Sequence, residues 1–266
     1  MEQAREAAAR GVRAIVRRLS SDRLHSAAAL IVFLALWEGA VRLGYQDEFW
    51  VSRPTLVVDK IGEWLQDGTL STNLVRTMRI AATAFLISAV GAVVVGSAFA
   101  RLRWIDDVLG WYVDIVYAVP KPALVPLFLF AFGLGDTPKF LLVVLLVFFV
   151  FYYNVRAGLA TSKQSHRDAL LMLGASERDV WVNLTLPTLV PFLVASARLS
   201  AALAILGTVF AEFFSYTPGM GRLVISAQYA LDATSLLSVV TVLTMVGVLV
   251  DNLLRRFDRR VSSWRL

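Results

Sequence analysis

The chain contains no cysteine and only two histidines among 266 residues. The first absence excludes disulfides, thiolate metal sites, c-type haem attachment and cysteine nucleophiles together. His25 and His166 lie far apart, with no carboxylate at metal-ligand spacing, so no metal site is expected. No GxxxxGK[ST] run occurs, so the chain has no P-loop to cradle nucleotide phosphates. No serine sits in GxSxG or beside a credible base, and an active site is not expected. Charge is scarce too, at 17% against 58% hydrophobic residues, with mean hydropathy +0.66. A soluble domain of this composition would expose much apolar surface, so a bilayer is the expected solvent.

A crossing helix needs about 20 mostly apolar residues. Ile80–Ala100 is an uninterrupted uncharged run, and Ala233–Val250 and Phe140–Asn154 are two more. Ser26–Gly44 qualifies with Glu38 inside it, and Val108–Gly133 despite Asp114 and Lys121. Leu186–Phe214 carries Arg198 near its middle. The expectation is an all-α membrane protein with six transmembrane helices.

Lysine and arginine in the short loops set orientation. Segments 1–24, 101–106, 156–183 and 251–266 hold 17 of the 26 Lys and Arg. Both termini are therefore expected in the cytoplasm, and the net charge of +6 reads as a topology signal rather than nucleic-acid binding. Residues 1–24 place Val12, Ile15, Val16 and Leu19 on one helical face, as in a basic amphipathic segment on the inner leaflet. Residues 25–266 then form one membrane domain. Outside, Pro54 opens a short helix with Val57, Ile61, Trp64 and Leu65 on one face. Pro218, Gly219 and Gly221 mark a turn before a second short apolar segment, 223–231. These two elements would cover the outer mouth.

Charges within spans cost about 2.5–3.5 kcal/mol each at mid-membrane. Arg198 either lines a polar pathway or pairs with a carboxylate, for which Asp114 and Glu212 are available; Glu212 and Glu38 read as interfacial. Pro120, Pro122 and Pro126 cannot share one regular helix, because each lacks an N–H and clashes with the preceding turn. Either a kinked packing helix or a break pointing toward a transport pathway results.

The stretch 162–187 is unlike its neighbours. Ser165 and Asp168 have capping-box spacing, as do Ser176 and Asp179, with Gly174 between them. Two short capped helices are expected, with Gly174 at positive φ in the turn. Ala169, Leu170 and Leu173 form one apolar face, and Val180, Trp181 and Leu184 the other. Such faces need cover, either from the underside of the membrane domain or from a partner.

This stretch resembles the cytoplasmic loop signature of bacterial ABC importer permeases: EAA, three residues, G, nine residues, I, one residue, LP. Asp168, Ala169 and Leu170 stand for EAA, Gly174 falls at its place, and nine residues separate it from Leu184, with Thr185 before Leu186-Pro187. Asp replaces Glu, Leu the second Ala, and Leu184 the Ile; the shorter Asp168 either caps its own helix or pairs with the partner. From about residue 50 onward, "SRPT", "VPKPALVPLFLFAFGLGDTPK", "FAEFF", "GMGRLV" and the closing "SSWRL" look like the nitrate, sulfonate, taurine and bicarbonate branch. Permeases for pyrimidine vitamin precursors and aromatic acids are similar.

The resemblance implies a type I importer in the bacterial inner membrane. Two permease copies sit on two ATP-binding cassette subunits that bind the ATP, and an extracytoplasmic binding protein delivers a small solute: a sulfonate, nitrate, a taurine-like compound, an aromatic acid or a vitamin precursor. It implies ATPase coupling through Asp168, Ala169, Leu170, Leu173, Gly174 and Ala175, with Leu184, Leu186 and Pro187 leading into the fifth span. The pathway would follow the dimer axis past the third and fifth spans, which carry Asp114, Pro120, Pro122, Pro126, Arg198 and Glu212. The competing class is a secondary transporter or channel without an ATPase, which leaves the spacing of the helix pair unexplained.

Overall fold

The computed structural model describes residues 25, 28–161 and 164–261. The amphipathic segment 1–24, the start of the first span and the closing SSWRL lie outside these residues. Every regular element described is helical. Residues 28–42 form α1. There follow α2 (Pro54–Gln66), α3 (Thr69–Arg101), α4 (Arg103–Ala118), α5 (Leu124–Phe132) and α6 (Thr137–Thr161). Then come α7 (Gln164–Met172), α8 (Glu177–Val180), α9 (Leu186–Glu212), α10 (Met220–Tyr229) and α11 (Ala233–Val261).

Four helical stretches are long and apolar enough to cross a membrane: Thr69–Arg101, Thr137–Thr161, Glu177–Glu212 and Ala233–Arg259. The third expected span is instead a pair of helices, Trp104–Ala118 and Lys121–Phe132, bent by 77°. Counting that pair as one gives five among the described residues, against six expected. The sixth candidate, 26–44, corresponds to α1. Helix α3 starts well before Ile80 because Arg76 and Arg79, which end the apolar run, are satisfied by Asp136 (3.0 and 3.7 Å) at the helix mouth.

Helices α3, α6 and α9 make the core. Ser88 donates to the carbonyl of Val144 at 3.1 Å, and Phe99 meets Tyr152 edge-on, so α3 and α6 run parallel. Gly158 faces Phe192 while Gly207 faces Leu146, so α9 runs antiparallel to α6. These contacts need small residues: a Cβ at Gly207 would lie 2.5 Å from Leu146 Cδ1, and one at Gly96 3.0 Å from Val155. Without a hydrophobic drive between helices in lipid, such close backbone approach supplies the van der Waals energy of association. Buried Ala81, Ala84, Ala92, Val143, Val147 and Ala204 complete the seam.

The loops sort into two ends. At one, α2 and α10 lie over the mouth: Trp64, Leu70, Met220 and Val239 share a cluster, and Ser52 bonds Thr234 at 2.7 Å. At the other, Arg101 at the end of α3 lies 4.4 Å over the Trp181 ring, ahead of α9. This is the division the charge pattern of the loops predicts.

Candidate functional site

Two constellations stand apart from ordinary packing. The first is the helix pair 164–185. Helix α7 ends in a Schellman motif: the N–H of Ala175 donates to the carbonyl of Leu170, and that of Gly174 to Leu171, both at 3.0 Å. Gly174 has φ +88°, a left-handed conformation that a Cβ makes unfavourable. Ser176 then caps α8 with the expected box: its Oγ accepts from the Asp179 N–H at 3.2 Å, and Asp179 accepts from the Ser176 N–H at 2.9 Å. The other expected box rests on the Ser165 side chain, outside the described residues. An Arg167–Glu177 ion pair joins the two arms.

The faces are covered unequally. On the second arm, Val180 is buried, and Trp181, Leu184 and Pro187 are half-buried against the domain. On the first arm, Met172 and Leu173 are 87% and 84% exposed, and Ala169 is exposed; Asp168, Leu170 and Ala175 are half-buried. The underside of the domain therefore covers one face and leaves the other open. Between α8 and α9 the chain makes one π-turn, Trp181–Thr185, in which the Leu186 N–H donates back to Trp181. That wider turn, directly before Pro187, carries the arm into the span as one helical stretch, Glu177–Glu212.

The second constellation is the break in the third span. Val119 and Pro120 are extended, as expected for a residue preceding proline. Pro122 sits at the start of the 3-10 turn Lys121–Ala123, and Pro126 in the first turn of α5. All three prolines thus occupy positions where no N–H is required. Lys121 donates to the carbonyl of Tyr117, and its ammonium lies 4.5 Å from the Tyr117 ring and 4.9 Å from that of Phe149. Tyr117 packs on Tyr153 at 4.8 Å, and the Tyr153 hydroxyl donates to Asp114 at 2.6 Å. Pro122 also edges an apolar cleft of about 540 Å³ between α6, α9 and α11.

The remaining predicted residues lie elsewhere. Arg198 is paired, but with Asp258 (3.6 Å) and Asp251 (3.9 Å) of α11 rather than with Asp114 or Glu212. Those two carboxylates recur at i and i+7 on one face of α11, so both face Arg198. Glu212 closes α9, at the span end as expected, but it is fully buried there, because the turn before α10 folds over it. It accepts from Thr77 Oγ1 at 2.8 Å and from the Gly221 N–H at 2.8 Å, while Asn73 accepts from the Gly219 N–H at 2.6 Å. Nearby, buried Lys139 donates to Thr217 at 2.6 Å and pairs with Asp136 at 2.8 Å. Partial burial pushes the Asp136 carboxyl up, but hydrogen bonds and charge from Lys139 and Arg76 outweigh it and hold it below the ordinary aspartate value.

Solved structures share this fold. The inward-facing MetNI methionine ABC transporter matches with a TM-score of 0.58 at 17% identity, covering 71% of this chain and 95% of that one. The putative aliphatic sulfonates transport permease protein SsuC of Bacillus subtilis is 25% identical over 88% of this chain and 85% of its own length. The taurine transport system permease protein TauC of Escherichia coli is 26% identical over 92% and 91%. Residues 63–263 match the family described as binding-protein-dependent transport system inner membrane component. The chain therefore belongs to that family of multi-pass inner-membrane permeases of ABC importers.

Proposed function

We propose that this chain is the transmembrane subunit of an ATP-driven importer, present as two copies on two ATP-binding subunits and supplied by an extracytoplasmic binding protein. The observation that carries the reading is the open first arm of the cytoplasmic helix pair. A rigid, doubly tied helix presents Ala169, Met172 and Leu173 with no cover from its own domain. An apolar face at that position suits a cleft on an ATPase. Asp168, Ala169, Leu170, Leu173, Gly174 and Ala175 form the docking arm. Leu184, Leu186 and Pro187 transmit its movement to α9 through the π-turn.

The solute in this reading is small and carries an acid group. Named relatives handle sulfonates and taurine, and Arg76, Arg79 and Lys139 surround a single Asp136 at the outer mouth, leaving net positive charge there.

The test is Gly174→Leu in the co-expressed complex. Leucine in the left-handed region costs on the order of 1–2 kcal/mol and misdirects the arm. Transport and stimulated ATP hydrolysis should fall at least tenfold while the permease still inserts, and Leu173→Glu should weaken co-purification of the ATP-binding subunit. Full transport by both variants, or a purified active transporter with no ATP-binding subunit, would overturn the reading.

A further inference from the structure

Lys121 and Asp114 stand at opposite ends of one aromatic pair without reaching each other. The ammonium lies against Tyr117, the carboxylate is held by Tyr153, and the two rings pack at 4.8 Å. Opposite charges left unpaired are unusual at membrane depth, where each would gain from pairing.

Their depth follows from α6. Phe149, under the Lys121 ammonium, is the central residue of the 25-residue helix Thr137–Thr161. At 1.5 Å per residue it is about 18 Å from either end, which is the bilayer midplane. The surrounding face is uncovered: Tyr117 and Asp114 are exposed, and so are Trp111, Tyr112, Ile115 and Val116 of α4. Ionisable side chains at that depth face a bundle interior or a water-filled cavity, and discontinuous helices supply such sites in membrane transporters.

Both charges keep free capacity. Lys121 uses one of its three donors on the Tyr117 carbonyl, and Asp114 accepts through Oδ1, which leaves Oδ2 for another donor. We propose that this cluster is a transit site for a small zwitterion, its acid group on Lys121, its ammonium on Asp114 and its short apolar middle against the Tyr117–Tyr153 pair. The assignment rests on the importer reading and narrows its solute from molecules with an acid group to those that also carry an ammonium.

The experiment uses the intact permease–ATPase complex in lipid nanodiscs without binding protein. Radiolabelled taurine and β-alanine are compared with ethanesulfonate, propionate and ethylammonium. The zwitterions should bind at least tenfold more tightly than any probe with one charge. Asp114→Asn should reduce taurine to the affinity of ethanesulfonate, and Lys121→Met to that of ethylammonium. Asp114→Glu and Lys121→Arg should keep the zwitterion preference. Equal binding of all probes by the unaltered complex, or no binding, overturns the site whatever the variants do. So does loss of assembly in both single variants with recovery in Asp114→Lys/Lys121→Asp, which would make the two residues an ion pair between copies. Complex assembly and ATP hydrolysis report separately on the importer reading, so either conclusion can fail alone.

Discussion

A Cβ on Gly221 would lie 2.1 Å from the carbonyl oxygen of Val209, and one on Gly219 2.3 Å from the Glu212 carboxyl carbon. The first contact is with backbone, so nothing can rotate aside. Gly221→Ala should therefore destabilise by about 1–3 kcal/mol, as overpacking does. Gly247→Ala, with nothing within 4 Å, should be neutral or slightly stabilising in its helix. Thermal melting of the two variants in detergent checks the contrast; equal midpoints would mean that the turn can shift freely. Leu231 offers the opposite case, a non-glycine residue at φ 54° closing α10, where Leu231→Gly should raise the midpoint by removing about 1–2 kcal/mol of strain. At this scale little was legible in the sequence. Glu212 stands at the end of an apolar run, but its partner Thr77 is 135 residues away, and no local pattern announces a loop folding over it. Gly174 was legible because its cause is local: a helix end followed three residues later by a capping box.

Helices are tied to one another here by a few charge pairs whose partners differ in burial. Lys139 is only 1% exposed, and Asp136 joins it to α3 through Arg76. Asp136→Asn would deprive that buried ammonium of its counter-charge, so the ends of α3 and α6 and the turn before α10 should loosen by about 2 kcal/mol, the scale of a hydrogen bond between charged groups. The pH dependence has a definite sign. Asp136 titrates below its unfolded value, so its contribution is complete above the ordinary aspartate pKa and is lost as pH falls through the lower folded value. Melting midpoints measured down to about pH 3 should therefore drop more steeply for the unaltered protein than for Asp136→Asn, and parallel curves would contradict this. Among the elements, the break in the third span was legible because three prolines forbid a continuous helix, whereas its 77° angle depends on packing against α6. The Arg198 pairing went to α11 because two antiparallel helices brought distant residues together, which spacing within α9 could not show.

The whole molecule has a polarity that both the charge pattern and the contacts express. The turns around 67–68, 133–136 and 213–219 gather at one end, held by the Asp136 and Glu212 networks, and the 164–185 helix pair lies at the other. Loops rich in Lys and Arg belong to the second end, so we propose that this end faces the cytoplasm. The absence of cysteine makes the assignment directly testable, because every single-cysteine variant reports one position without background. Gly135→Cys and Tyr229→Cys should react with a membrane-impermeant maleimide in intact spheroplasts; Gly135 has open space around it and Tyr229 is 83% exposed. Leu173→Cys, also strongly exposed, should react only after permeabilisation. Adding the ATP-binding subunit should then slow labelling at position 173 at least severalfold and leave positions 135 and 229 unchanged. Labelling of position 173 from outside would invert the topology and remove the docking arm from the compartment that holds ATP. Unaltered labelling in the assembled complex would place the ATPase contact elsewhere on the cytoplasmic face.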